Sequence, residues 1–213
     1  MSDELVFYTN PMSRGRIVRW MLEELGQPYR TEVLDYQTMK GPAYLAINPM
    51  GKVPALRHGD QVVTEAAAIC AYLADAFPQA GLAPPPGDRL RAPYYRWMFF
   101  AAGPLEGAVT AKSLGFEVKP EGRRMAGWGC LEDVMTALET AVAGREYLVG
   151  DKFSAADVYF GSHIGWGLQF GNLENRPSLA AYSERLQQRP AAVRAREIDD
   201  ALIAAQQPAP VEA

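Results

Sequence analysis

Two short stretches hold the residues best suited to bind a ligand: Asn48-Pro49-Met50-Gly51-Lys52-Val53-Pro54-Ala55-Leu56 and, after a hairpin, Thr64-Glu65-Ala66-Ala67-Ala68-Ile69. Pro54 stands where an apolar strand begins, and proline cannot donate a ladder hydrogen bond. A cis Val53-Pro54 bond accounts for its presence. The chain turns sharply there, and the N–H and C=O of Val53 stay free to pair with a ligand. The hairpin then leads into Glu65 at a helix start, where outward-pointing N–H groups favour an anion. With Lys52 alongside, the patch offers a backbone edge, a helix terminus and a cation. An anionic peptide fits these features.

A sheet and several helix starts must position this patch. Leu5-Val6-Phe7-Tyr8 is a continuous apolar run, as in a strand buried on both faces. From Arg14 to Leu25 the apolar residues Ile17, Val18, Trp20, Met21, Leu22 and Leu25 form a helical stripe ended by Gly26. An extended stretch from Pro28 to Leu34 completes a strand–helix–strand crossover. A short helix (Pro42 to Ile47), a strand (Pro54 to Leu56), a turn at Gly59-Asp60, a strand at Val62-Val63 and a helix (Glu65 to Phe77) follow. The order βαβαββα predicts an α/β thioredoxin-like domain over residues 1–78.

Residues 79–88 continue a proline-rich run from Pro78 to Gly87 and read as a linker. Everything after Asp88 reads as helical, an all-α domain over residues 89–207 with a loose tail at 208–213. Periodic segments run from Arg89 to Leu114 and from Gly122 to Ala143; Pro104 should kink or break the first. Phe153-Ser154-Ala155-Ala156-Asp157-Val158 is a helix start, with Ser154 as cap, Asp157 reaching back and Phe153 stapling Val158. Helical stretches from Ser178 to Gln188 and from Ala191 to about Gln206 end the chain.

A formal net charge of -4 over 213 residues gives no electrostatic footprint for nucleic acid. The acidic start Met1-Ser2-Asp3-Glu4 lacks a secretory signal, and no apolar run is long enough for a bilayer. Cys70 and Cys130 lie far apart in helical patterns, which argues against a disulfide framework. The expectation is a cytoplasmic protein with neither nucleic acid nor membrane as partner. His58 reads as a solvated residue of the hairpin and His163 as helical, so no metal-ligand set assembles. The aromatic run from Tyr94 to Phe100 reads mostly as core, with some residues facing a cleft between the two halves.

The chain resembles the cytosolic glutathione transferases, especially their bacterial members, over nearly its whole length. The resemblance rests on Asn-Pro-x-Gly-Lys-Val-Pro-x-Leu (Asn48 to Leu56), Thr-Glu-x-x-x-Ile (Thr64 to Ile69), Met-Leu-Glu-Glu-Leu-Gly (Met21 to Gly26) and Gly-Asp-x-Phe-Ser-x-Ala-Asp (Gly150 to Asp157). It implies glutathione as co-substrate, no tightly bound cofactor, a small electrophile lying against the helical half, and a homodimer. It also implies a role in detoxification. Lys52, Val53, Pro54, Glu65 and Ala66 are then the glutathione-binding residues. The backbone of Val53 pairs with the cysteinyl unit, and the γ-glutamyl group goes to Glu65 and Ala66. The family has serine at the latter position, so one hydrogen bond is missing here, worth roughly 1–2 kcal/mol to a charged group.

Glutathione must ionise to react, and a thiol has a pKa of about 8.5 in water. A hydroxyl donating to the sulfur at a helix N-terminus favours the thiolate. The segment from Tyr8 to Arg14 links the first strand to the first helix. Ser13, immediately before the helical stripe, is the leading candidate; Tyr8 comes second, and Asn10 and Thr9 are further alternatives. Ser13 could equally cap the helix. No cysteine lies in this loop, which disfavours disulfide reduction. The function expected is glutathione transfer, with a peroxidase side activity toward organic hydroperoxides. The alternative is a non-catalytic binding or regulatory protein of the same fold.

Overall fold

The computed structural model describes residues 4–206; the tail expected at 208–213 lies outside them. By its contacts the chain divides into two units, one running up to Leu73 and resuming at Arg189, the other spanning Ala74–Gln188.

The first unit is built on four strands, β1 (Leu5–Thr9), β2 (Tyr29–Val33), β3 (Ala55–His58) and β4 (Gln61–Thr64), in the order β2-β1-β3-β4. β1 runs parallel to β2 and antiparallel to β3, and β3 is antiparallel to β4. Helices α1 (Gly15–Leu25), α2 (Pro42–Leu45) and α3 (Ala66–Ala76) complete the βαβαββα order. This is the thioredoxin-like arrangement that the sequence predicts. The apolar stripe of α1 is buried, and Gly26, at φ 68°, ends the helix by donating its N–H to the Leu22 carbonyl.

The helix α9 (Pro190–Gln206) packs on α1. Arg189 donates to both oxygens of Glu24 (2.7 and 2.8 Å), and buried Arg19 meets buried Asp199 at 3.3 Å. The Arg19 guanidinium also donates to the Tyr29 and Thr31 hydroxyls at 2.9 Å and lies over the Phe7 and Tyr29 rings. The sequence groups this helix with residues 89–207; its contacts place it with the first unit.

The second unit contains α4 (Arg91–Phe100), α5 (Glu106–Ser113), α6 (Leu131–Val142), α7 (Ala155–Gln169) and α8 (Pro177–Gln187). Pro104 sits in a π-helical turn, Ala101–Leu105, that joins α4 to α5 and absorbs the lost hydrogen bond. At the start of α7 the buried Asp157 carboxylate accepts from the Ser154 N–H (2.9 Å) and hydroxyl (3.1 Å), the Leu148 N–H (2.9 Å) and the Tyr182 hydroxyl (2.8 Å). Four donors hold one carboxylate, so the cap also ties the preceding loop and α8 to α7.

Three expectations need correction. The helix expected from Gly122 to Ala143 begins only at Leu131, because Gly122, Gly127 and Gly129 (φ 64°) interrupt the preceding segment. Cys130 is therefore the N-cap residue of α6 and not an interior helical residue. His58 closes β3 half-buried, with Nδ1 2.8 Å from the Tyr72 hydroxyl, where a solvated turn residue was expected. Among the described residues no helix is long and apolar enough to cross a membrane, and no three His, Cys, Asp or Glu side chains are grouped to hold a metal.

Candidate glutathione site

Register assembles the site. Tyr8 pairs with Ala55 and Ala55 with Thr64, while Thr9 pairs with Val33. The loop after β1, the approach to β3 and the entry to α3 therefore emerge at one end of the sheet. This brings the Tyr8–Ser13 segment, Lys52–Pro54 and Glu65–Ala66 together from three separate parts of the chain.

The Val53-Pro54 bond is cis, and Pro54 is buried. The peptide before it is held from two sides: the Lys52 carbonyl accepts from the Tyr44 hydroxyl at 2.7 Å and from Asn48 Nδ2 at 2.8 Å. Asn48 in turn accepts from the Met50 N–H at 3.1 Å. Gly51 takes φ 57°, and a Cβ there would lie 2.7 Å from the Met39 carbonyl oxygen, so only glycine fits this turn. Among the described residues neither the N–H nor the C=O of Val53 has a hydrogen-bond partner. It is an open backbone edge on a braced peptide.

Glu65 is exposed at φ 66°, the one non-glycine residue with positive φ among those described, and its carbonyl accepts the first helical bond of α3 from Ile69. Such a conformation costs on the order of 1–3 kcal/mol and persists where the surroundings enforce it, commonly at ligand clamps. Ala66 follows, 7% exposed, at the first turn of α3.

The four candidates for thiol activation separate by exposure. Thr9 is fully buried, and a Cβ on Gly15 would lie 2.0 Å from its Oγ1, so its hydroxyl is walled in by α1. Asn10 is 3% exposed; its Nδ2 donates to the Leu34 carbonyl at 2.9 Å and its Oδ1 accepts from the Met12 N–H at 2.9 Å. Both ends of that amide hold the loop together. Ser13 and Tyr8 are half-buried. Tyr8 and Val53 pack against the same small cluster of Met39, Tyr44 and Ala55, and the Tyr8 ring lies 5.9 Å from that of Tyr44.

Tyr44, with Asn48, is the site residue that sequence reasoning missed. Asn48 lies within the motif, but nothing local indicates that Tyr44 reaches the Lys52 carbonyl. Burial is the main cause that pushes the Tyr44 hydroxyl up to about 12, so it remains a donor at all physiological pH. Burial likewise pushes the Cys70 thiol up, which leaves it an inert core residue.

Comparison with known proteins bears on this geometry. Residues 12–76 match the glutathione S-transferase N-terminal domain, and residues 126–190 match the C-terminal domain. A glutathione S-transferase of Xanthomonas campestris pv. campestris is 31% identical over 193 residues, covering 84% of this chain and 91% of that protein. The chain belongs to the glutathione transferase family. Another glutathione transferase, GstA of Escherichia coli O157:H7, is 30% identical over 86% of this chain and 90% of its own length. A solved sphingomonad glutathione transferase, in complex with glutathione, superposes with a TM-score of 0.75 at 29% identity, covering 92% of this chain and 98% of that one. The N-terminal match contains Ser13, Lys52, Val53, Pro54, Glu65 and Ala66, whereas Tyr8 and Asn10 precede it.

Proposed function

We propose that this glutathione transferase binds glutathione across the loops at one end of the sheet and holds its thiol as thiolate for attack on a small electrophile. The register that gathers Tyr8, Ala55 and Thr64 is the observation that carries the reading, since it puts the open Val53 edge beside both helix starts. In this reading the Val53 N–H and C=O pair with the cysteinyl unit. The Glu65 carboxylate takes the γ-glutamyl amine, the N–H groups at the start of α3 take its carboxylate, and Lys52 supplies a further cation.

Ser13 activates the thiol. Its hydroxyl donates to the Asn10 carbonyl at 2.7 Å, but that carbonyl also accepts the Ser13 N–H at 3.1 Å. Turning the hydroxyl toward the sulfur therefore leaves the carbonyl satisfied, and the serine can serve both as loop tie and as thiolate donor. Tyr8 is the second choice, because its ring borders the cluster that supports Val53. The thiolate would attack electrophilic carbon in detoxification and, as a side activity, the peroxide oxygen of organic hydroperoxides. The family resemblance supports a cytoplasmic homodimer.

A non-catalytic binding role is the second reading, favoured by the missing hydroxyl at Ala66 and by the Ser13 proton lying on Asn10. Titration of thiolate absorbance in the glutathione complex separates the two. A bound thiol ionising well below about 8.5 supports catalysis, and an unshifted thiol supports binding alone.

A further inference from the structure

Every residue of the turn from Asn10 to Ser13 is hydrogen-bonded, and one of those bonds leads out to the far end of the chain. Asn10 is held by the Leu34 carbonyl and the Met12 N–H, and Ser13 by the Asn10 carbonyl and the Gly15 N–H. Between them the Pro11 carbonyl accepts from Arg16 Nη1 at 3.4 Å. The other terminal nitrogen of that guanidinium, Nη2, donates to Asp200 Oδ1 on α9 at 2.6 Å. A path of contacts thus runs from α9 through Arg16 to the backbone beside Ser13, from a residue 184 positions away in sequence.

A contact of 3.4 Å is weak, and a long side chain free to rotate would not keep it. Asp200 changes that. The guanidinium is a rigid plane, so a charge-assisted bond at Nη2 fixes the direction of Nη1. The neighbouring carboxylates are engaged elsewhere: Asp199 meets Arg19 at 3.3 Å, Glu23 meets Arg194 at 3.3 Å, and Glu24 meets Arg189 at 2.7 Å. Those pairs also seat α9 on α1, so Asp200 is presented from a fixed surface. The Arg16 and Asp200 side chains are 23% and 57% exposed, and an ion pair so exposed adds little stability. Its consequence is geometric.

We propose that Arg16 is a positioning residue for thiol activation, oriented by Asp200 so that the C-terminal helix fixes the turn from which Ser13 reaches the glutathione sulfur. The inference rests on the reading of Ser13 given above. Releasing the Pro11 carbonyl lets the turn drift, and a donor misplaced by about 1 Å stabilises a thiolate far less well.

Two measurements on the whole protein test this: hydrogen exchange at the amides of Met12, Ser13 and Gly15, and titration of thiolate absorbance in the glutathione complex. Asp200→Ala should quicken exchange at those amides about threefold or more. It should also raise the bound thiol's pKa and cut turnover about tenfold, with KM for glutathione changed less than about twofold. Arg16→Ala should have the same effects, and the double variant no more than either, because both changes break one path. Arg194→Ala removes the pair at Glu23, further along α1, and should move neither measurement. Unchanged exchange in Asp200→Ala, an equal effect of Arg194→Ala, or quickened exchange with an unmoved thiol pKa would each overturn the proposal. A wild-type bound thiol that ionises at about 8.5 would instead remove thiol activation itself, and Arg16's part in it. The wild-type titration alone thus tests the reading of the site, and the variants test the path from α9.

Discussion

The Ser13 hydroxyl donates to the Asn10 carbonyl at 2.7 Å while accepting the Gly15 N–H at 2.9 Å. One side chain thus closes the loop after β1 and accepts the N–H of the first residue of α1. The N-cap residue is Arg14, which has no side-chain cap bond, so Ser13 is not the cap that its place before the helical stripe suggests. A hydroxyl has a single proton, so contact with a sulfur must redirect the bond now made to Asn10, while the bond from Gly15 can remain.

Replacing Ser13 by alanine removes both roles, and they are read by different measurements. Loss of the bonds to the Asn10 carbonyl and the Gly15 N–H should lower unfolding stability by about 1 kcal/mol in chemical denaturation. Loss of the donor should raise the bound thiol's pKa and cut turnover about tenfold to a hundredfold at neutral pH, with ground-state affinity nearly unchanged. A stability loss with a normal thiol pKa would leave Ser13 as a loop tie alone and transfer the activating role to Tyr8.

Ala66→Ser restores a hydroxyl at the first turn of α3. If the γ-glutamyl carboxylate lies there, the new bond to a charged group should tighten glutathione binding by roughly 1–2 kcal/mol, about five- to thirtyfold in calorimetry. Unchanged affinity would mean that the carboxylate sits elsewhere.

The Tyr44 hydroxyl braces the Lys52 carbonyl, and its pKa is raised from 10.0 to about 12 in the folded chain. The folded state therefore keeps a proton that the unfolded state gives up. The resulting stability is fully present below pH 10 and lost as pH rises from 10 toward 12. Tyr44→Phe should be less stable by about 1 kcal/mol at neutral pH, with a gap from wild type that narrows above pH 10. Ultraviolet difference titration against the variant should show one phenol ionising near pH 12.

On α4, Tyr95 and Phe99 are 42% and 71% exposed, with ring centroids 6.4 Å apart. A homodimer contacting through α3 and α4 would bury them. Phe99→Glu should then lower the light-scattering mass from twice the 23.4 kDa chain to a single chain at micromolar concentration. A wild-type protein already monomeric there would remove this assignment.

Local pattern carried the sequence reading a long way. The period of the apolar residues in α1, the alternation of strand and turn around Gly59-Asp60, and the Ser154–Asp157 spacing are each set within a few residues, so element type and order were legible. Pro54 at a strand entrance was equally local, and it pointed to Val53 as an open edge. Where glycines broke a periodic pattern, as before Leu131, local reading extended the helix too far.

What the tertiary structure alone decided depends on partners remote in sequence. Asn10 spends its amide on the Leu34 carbonyl, 24 residues away, so its composition suited thiol activation while its geometry serves the loop. Tyr44 reaches Lys52 only because α2 folds back over the approach to β3. Arg19 finds Asp199 from 180 residues away, which draws α9 onto α1 instead of leaving it with the other helices. Helical period states which face of α9 is apolar and which is charged, but not what those faces meet. That is settled by burial and charge pairing once the whole chain is compact.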